Sequence, residues 1–380
     1  MFPPTERELL SNRVPFQDRI DLPSTYYEAR LQDALNIRAY TGGFSAERTA
    51  QLMRPVNVID IPPNHGMDDF YTNKVDWSSS QNLVAISVTD WVYVMYPSTW
   101  RSSDGATTMG INCACVKWSP AATSLFCGSS QERSSILLDA ETGALKGKVR
   151  ASGHVAAWTS DNQLFTGGLR KMVTMCDIRE PRPTISLAGH QGRICGLEVS
   201  PDGTLVASGS NDDTVRIWCL RTNRTIATSR CDAAVKAISW HPYHADTLAY
   251  GGGTADHSVH IINPFSGVHK SQHDVQGQVT GLHWTRAGNM VVTTGFGELG
   301  GTVRLFRARH NLLHLQHTVT HGERCVHLAI DPSETCAAVS VPACDAVALL
   351  QLPTKAAAAR AAAPGAVSAA FTSHMHSVIR

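Results

Sequence analysis

The 380-residue sequence has almost no excess of either charge: 33 Lys and Arg against 32 Asp and Glu leave a formal net charge of +1. Without a broad basic field, bulk binding to nucleic acid is not implied. There is no apolar run approaching the ~20 residues that cross a bilayer, so no membrane span is expected. The opening residues, MFPPTERELL, are charged and lack an apolar core, so a secretion signal is not expected. Ten cysteines form no C-x-x-C pair, and only Cys113 and Cys115 come close together. This argues against a zinc site and against a secreted disulfide framework. Buried reduced thiols in the nucleus and cytoplasm are expected instead, with no metal and no cofactor. Walker A, G-x-S-x-G and H-E-x-x-H motifs are also missing. The paired carboxylates Asp68-Asp69 and Asp212-Asp213 fall in turns, so no catalytic residue is assigned and the chain does not read as an enzyme.

What is present is a repeat. A short pattern recurs as VDWS, VKWSP, AAWTS, LEVSP, ISWHP, LHWT and LAIDP. Its third positions are Trp77, Trp118, Trp158, Val199, Trp240, Trp284 and Ile330, separated by 41, 40, 41, 41, 44 and 46 residues. Seven copies at this period match one propeller blade each. Each copy continues into a small-residue strand such as LVASGS (205–210), then a tight turn and an alternating strand such as TVRIW (214–218). Period-two alternation marks strands with one face in the core. The expected fold class is all-β, a seven-bladed WD-repeat β-propeller with flexible N- and C-terminal tails.

A lone blade cannot bury its apolar faces, and a closed ring leaves only short edges. Closure needs a latch. The segment RPVNVIDIP (54–62) is expected to supply the outer strand of the last blade. The propeller then covers 54–353, with tails at 1–53 and 354–380. In the best copy, 187–218, His190, Asp212 and Trp218 are expected to form a buried hydrogen-bonded set with a structural role. Asp256 holds the equivalent turn position one blade later.

Several segments resemble the Fizzy and Fizzy-related coactivators of the anaphase-promoting complex, a ubiquitin ligase. MDDFYTNKVDWSSSQNLVAISVTDWVYVM (67–95) looks like that family's opening of blade 1. AAVKAISWHP followed by GGGTAD (251–256), the DIR at 177–179, and the terminal Ile379-Arg380 also match. The segment Asp18-Arg19-Ile20-Asp21-Leu22-Pro23 keeps the Asp-Arg start and the Pro of the family's C-box. It lacks the aromatic residue and has one residue extra.

The resemblance implies a substrate receptor. It places D-box (Arg-x-x-Leu) recognition in a groove between the first and last blades, with Asp69 and Asp345 as the acids. A guanidinium gains most from such carboxylates. The alternative for Asp69 is a turn cap. KEN-box (Lys-Glu-Asn) recognition falls to Asp76, Asn211, Thr254, Gln278 and Arg324. Asp76 would pair with the lysine and Arg324 with the glutamate. Ligase docking falls to Asp18, Arg19 and Pro23 and to Ile379 and Arg380, the last two held by a helical-repeat subunit. Implied partners are the ligase, degron-bearing substrates such as cyclins and securin, and spindle-checkpoint proteins. The competing reading is a generic WD-repeat scaffold or a cullin-ligase substrate adaptor, for which the Ile-Arg end would be dispensable.

Overall fold

A computed structural model describes residues 53–353, apart from gaps at 62–65, 98–100, 103–106, 109, 131–134, 152, 181–183 and 299. The tail positions Asp18, Arg19, Pro23, Ile379 and Arg380 lie outside the described residues. Seven antiparallel sheets follow one another along the chain, six of them four-stranded. Among the described residues there is no α-helix, and a single 3-10 turn spans Pro342–Cys344.

The first strands of the blades are Val75–Trp77, Cys113–Trp118, Val155–Ser160, Ile194–Val199, Ile238–Trp240, Gly277–Trp284 and Leu328–Ile330. The expected seven-bladed propeller is therefore the observed fold. Second strands are sandwiched between neighbouring blades and are buried at every position in Ser124–Ser129 and Leu205–Ser210. This is why they are built from small and apolar residues rather than from alternating ones. Outer strands such as Arg224–Arg230 alternate exposed and buried positions. Close blade contact needs small side chains: a Cβ at Gly128 of blade 2 would stand 1.9 Å from the carbonyl oxygen of Gly153 in blade 3. Blade 1 is irregular. Its third strand, Trp91–Tyr96, pairs with two short strands, Arg101–Ser102 and Thr107–Thr108.

The latch is as expected. Arg54–Asp60 pairs antiparallel with Ala346–Gln351, so the start of the propeller completes the sheet made by its end. Ile59 and Ile61 enter a core shared by Val75, Trp77 and Ile86 of blade 1 and Val347 and Leu349 of blade 7.

The sheet registers define two ends of the disc. Asn211, in the hairpin between the second and third strands of blade 4, donates its N–H to Arg193 just before the first strand. Thus 2–3 hairpins and first-strand starts share one end, here called the entry face. The Trp ends of the first strands lie at the other.

In blade 4, His190 Nδ1 lies 3.0 Å from Asp212 and its Nε2 lies 2.8 Å from the Ser208 hydroxyl. The Trp218 indole N–H donates to the same hydroxyl at 2.8 Å. Ser208, not singled out in the sequence, is the bridge of this set. Burial opposes ionisation of Asp212, but hydrogen bonds from Thr214, Gln191 and His190 hold its carboxyl down at about 2.

Candidate functional site

The entry face is crossed by the segment Met67–Tyr71. Asp69 shapes it: its carboxylate accepts from the Tyr71 N–H at 2.9 Å, and its carbonyl accepts from the Thr72 N–H and hydroxyl. This Asx turn sends Phe70 inward, buried, with Lys236 Nζ of blade 5 5.5 Å from its ring centroid. Tyr71 reaches blade 4, donating its hydroxyl to Asn211 at 2.9 Å beneath the Arg193 guanidinium. Exposed Asp68 reaches blade 7, accepting from Arg324 at 2.8 Å. The Met67 carbonyl lies 3.1 Å from His327 Nε2. One five-residue stretch therefore touches blades 4, 5 and 7. Lys236 also donates to the Val326 carbonyl at 2.8 Å, a contact between non-adjacent blades that spans the central channel.

Basic side chains surround this strap. Lys74, His154 and Arg193 each directly precede the first strand of a blade, and Lys236, Arg324 and His327 lie close to such starts. Burial pushes the Lys236 ammonium down to about 7, with Arg324 adding repulsion. Lys74 is lowered by burial. His154 falls to about 4 through burial and the adjacent Arg193, whose Nε lies 2.9 Å from its Nδ1. His327 is driven far down by burial, then by Lys236 and Lys74. The Arg193 and Arg324 guanidiniums, each paired with an acid of the strap (Asp69 and Asp68), form a face that a carboxylate-bearing guest enters by competing with those acids.

Four of the five expected KEN positions share this face. Arg324 donates to the Gln278 side-chain oxygen at 3.1 Å, and it stacks on the Phe296 ring at 4.4 Å. Asn211 is exposed and bound to Tyr71; Thr254 is exposed in the turn after Gly251–Gly253.

Asp76 does not join them. It lies next to Trp77, toward the opposite end, with its side chain only 8% exposed. Its carboxylate accepts from Lys117 Nζ at 2.6 Å and from the Trp118 backbone N–H at 2.8 Å. Glu198 of blade 4 takes the same phase and accepts from the Trp240 N–H at 3.1 Å; the Ser239 hydroxyl does so for Trp284. Asp76 is thus one of a series of straps between neighbouring blades, its carboxylate engaged by Lys117 and Trp118 rather than facing the KEN positions as expected.

The two acids expected for the D-box have different neighbours. Asp69 is the turn cap already described, and its other oxygen lies 3.4 Å from Arg193 of blade 4. Asp345 sits in the 2–3 hairpin of blade 7 with a left-handed backbone, φ 51°, and its carbonyl accepts from the Ile61 N–H beside the latch. Asp256 occupies the turn expected of it, but its partners are His260 and Cys231 rather than a Gly-His histidine. Asp68, Tyr71, Arg193, Lys236 and Phe296 were not foreseen. The common phase of Lys74, His154 and Arg193 before the first strands was the available signal.

The family described as WD domain, G-beta repeat matches residues 181–219, which contain most of blade 4. The chain is 33% identical over 295 residues to the B-type cell cycle switch protein ccs52A of Medicago truncatula, covering 73% of this chain and 58% of that one. It is 32% identical to Protein FIZZY-RELATED 1 of Arabidopsis thaliana, covering 74% and 59%. The APC/C activator protein CDC20 of Saccharomyces cerevisiae is 32% identical over 241 residues, covering 60% and 38%. The chain thus spans less than three-fifths of the length of these relatives. Among solved structures, a chain in the Crystal Structure of Mitotic Checkpoint Complex superposes with a TM-score of 0.73 at 27% identity, covering 79% of this chain and 92% of that one.

Proposed function

Because the chain belongs to the Fizzy and Fizzy-related family of WD-repeat proteins, we propose that it is a substrate-recognition coactivator of the anaphase-promoting complex ubiquitin ligase. The observation that carries this is the entry face. Asn211, Thr254, Gln278 and Arg324 come from four different blades to one end of the disc. Arg324 and Gln278 are in contact there, beside the basic side chains of Arg193 and Lys236 that flank the strap. A rigid face of this kind holds short extended peptides without itself moving.

In this reading a KEN glutamate takes the Arg324 guanidinium, and the asparagine takes amide and hydroxyl partners from Gln278, Asn211 and Thr254. The KEN lysine is left without Asp76 as its partner. The D-box arginine pairs with Asp345, and Asp69 contributes only what its bond to Arg193 leaves free. The C-box residues Asp18, Arg19 and Pro23 and the Ile379-Arg380 end each make a small grip on the ligase, and tethering multiplies weak grips into a tight one. The chemistry of ubiquitin transfer lies in the ligase. Action in the nucleus and cytoplasm, on substrates such as cyclins and securin and under spindle-checkpoint proteins, belongs to the same proposal.

The test is recovery of the ligase by the full chain and by a chain lacking Ile379-Arg380. Loss of recovery on deletion is expected. Equal recovery from both would favour a generic scaffold or a cullin adaptor. A KEN peptide should bind the full chain and bind Arg324→Ala more weakly; unchanged affinity removes the entry face as its receptor.

A further inference from the structure

Blade 5 has lost the hydrogen-bonded set of blade 4 and put something else in its place. Strand register matches Tyr250 to Ser208, Asp256 to Asp212, His260 to Arg216 and Ile262 to Trp218, and Cys231 stands where His190 does when counted back from Val235 and Ile194, whose amides bond the second strand of the preceding blade or the turn just after it. The aspartate is retained, but the histidine at the blade entrance has become a thiol and a histidine has appeared on the third strand. Their donor atoms converge. Cys231 Sγ lies 3.3 Å from Asp256 Oδ2 and 3.9 Å from His260 Nε2, and that nitrogen lies 2.7 Å from the same carboxylate oxygen.

We propose that Cys231, Asp256 and His260 form a binding site for a single divalent transition-metal ion of the zinc class. A thiolate and an imidazole with one carboxylate oxygen is a donor set that suits such an ion. Ligand bonds of about 2.0 Å to nitrogen and oxygen and 2.3 Å to sulfur put tetrahedral donors roughly 3.3–3.5 Å apart. The sulfur contacts bracket that value, and the nitrogen–oxygen pair must open by about half an ångström. The charge also balances. The Asp256 side chain is only 3% exposed, and a thiol is a weak donor to set against a buried carboxylate. A dication bound to one carboxylate and one thiolate leaves the site neutral; the thiol proton goes to solvent.

The surroundings hold the donors in place. The His260 ring stacks on Tyr250 at 4.8 Å and meets His269 edge-on at 5.2 Å. Asp256 reaches inward because Gly252 has no side chain: a Cβ there would stand 1.8 Å from Asp256 Oδ2. The fourth position would go to water, since these three side chains are the metal-compatible group among the described residues. None of them is among the residues proposed to bind peptide, so the site stands or falls apart from the proposed function.

The experiment uses the chelator-treated full chain titrated with Co(II) and competed with Zn(II). Wild type should take up one more equivalent than Cys231→Ala and show a thiolate-to-cobalt charge-transfer band that this variant lacks. Cys231→His restores the residue of blade 4 and keeps a nitrogen ligand. It should bind cobalt without the charge-transfer band, even where the alanine variant folds poorly. His260→Ala should weaken binding at least about tenfold. Equal uptake and identical spectra for wild type and both Cys231 variants, or no uptake by wild type, would overturn the site.

Discussion

Arg324 and Asp68 are 256 residues apart in the chain, yet the guanidinium donates to the carboxylate at 2.8 Å, across the seam where the ring closes. Asp68 is 67% exposed and Arg324 14%. The pair is therefore worth at most about 1 kcal/mol to the fold. Its consequence is for binding. Asp68 occupies the guanidinium that a glutamate-bearing peptide would take, so it acts as a built-in competitor. Asp68→Asn should raise the affinity of a KEN peptide about two- to fivefold with little change in melting temperature. Arg324→Ala should lower it more than about tenfold, because a charge-assisted hydrogen bond is lost. Fluorescence anisotropy with a labelled peptide separates these outcomes. A drop in affinity for Asp68→Asn would mean that Asp68 is a ligand of the peptide rather than its rival.

Much of this was readable from residues alone. Blade number and the latch followed from the spacing of Trp77 to Ile330 and from the extended pattern at 54–62, because strand period and ring closure are local and topological constraints. The identity of Ser208 as a bridge was hidden because a serine in a small-residue strand looks like any other. Asp76 was misplaced for a related reason. Its chain neighbours resemble a peptide-binding motif, but orientation depends on Lys117 and Trp118 of the next blade, 41 and 42 residues away. Cation clustering at Lys74, Arg193 and Lys236 needed the seven-fold superposition of phases before it became visible.

Asp76 is expected to matter for stability and not for recognition. Removing its carboxylate leaves the Trp118 N–H and the Lys117 ammonium without their partner. Asp76→Ala should cost about 1–3 kcal/mol, read as a lower midpoint in urea. Folded protein should bind a KEN peptide as wild type does. A stable variant with lost peptide affinity would return Asp76 to the binding set.

Ser208 bridges His190 and Trp218 with both bonds at 2.8 Å, and it is completely buried. Ser208→Ala strands an imidazole nitrogen and an indole N–H away from water, at a cost of about 1–3 kcal/mol. Ser208→Thr keeps the hydroxyl but adds a methyl group in a packed strand, so it too should destabilise, through overpacking. Thermal melting of the two variants, with peptide affinity as a control, checks this. A Ser208→Ala protein as stable as wild type would show that the bridge contributes nothing.

Ile59 tests the latch. It is buried in the core shared by blades 7 and 1, on a strand whose pairing comes from the opposite end of the propeller. Ile59→Ala should cost about 2–4 kcal/mol, from lost transfer energy plus a cavity. Because the last sheet then closes poorly, hydrogen exchange should rise first in Ala346–Gln351 and in Val75–Trp77. Uniform loss of protection over all seven blades would instead mean that the ring opens only as a whole.

Glu198 makes stability depend on pH in a direction that can be worked out. Burial raises its carboxyl to about 8, and the Trp240 N–H and nearby Lys117 only partly offset this. In the unfolded chain the same group titrates near 4.3. Between those values the folded state binds the extra proton, so stability is full below about pH 4 and falls as pH rises toward 8. Above that it levels off. Glu198→Gln keeps an oxygen for the Trp240 N–H at 3.1 Å but cannot ionise. The variant should match wild type at pH 5 within about 1 kcal/mol and become the more stable protein by pH 8, gaining on the order of 1.4 kcal/mol per pKa unit traversed. Urea midpoints across this range give the difference directly, and groups common to both proteins cancel. A difference that stays flat from pH 5 to 8 would mean that Glu198 is ionised in the folded state and that Lys117 has compensated its burial.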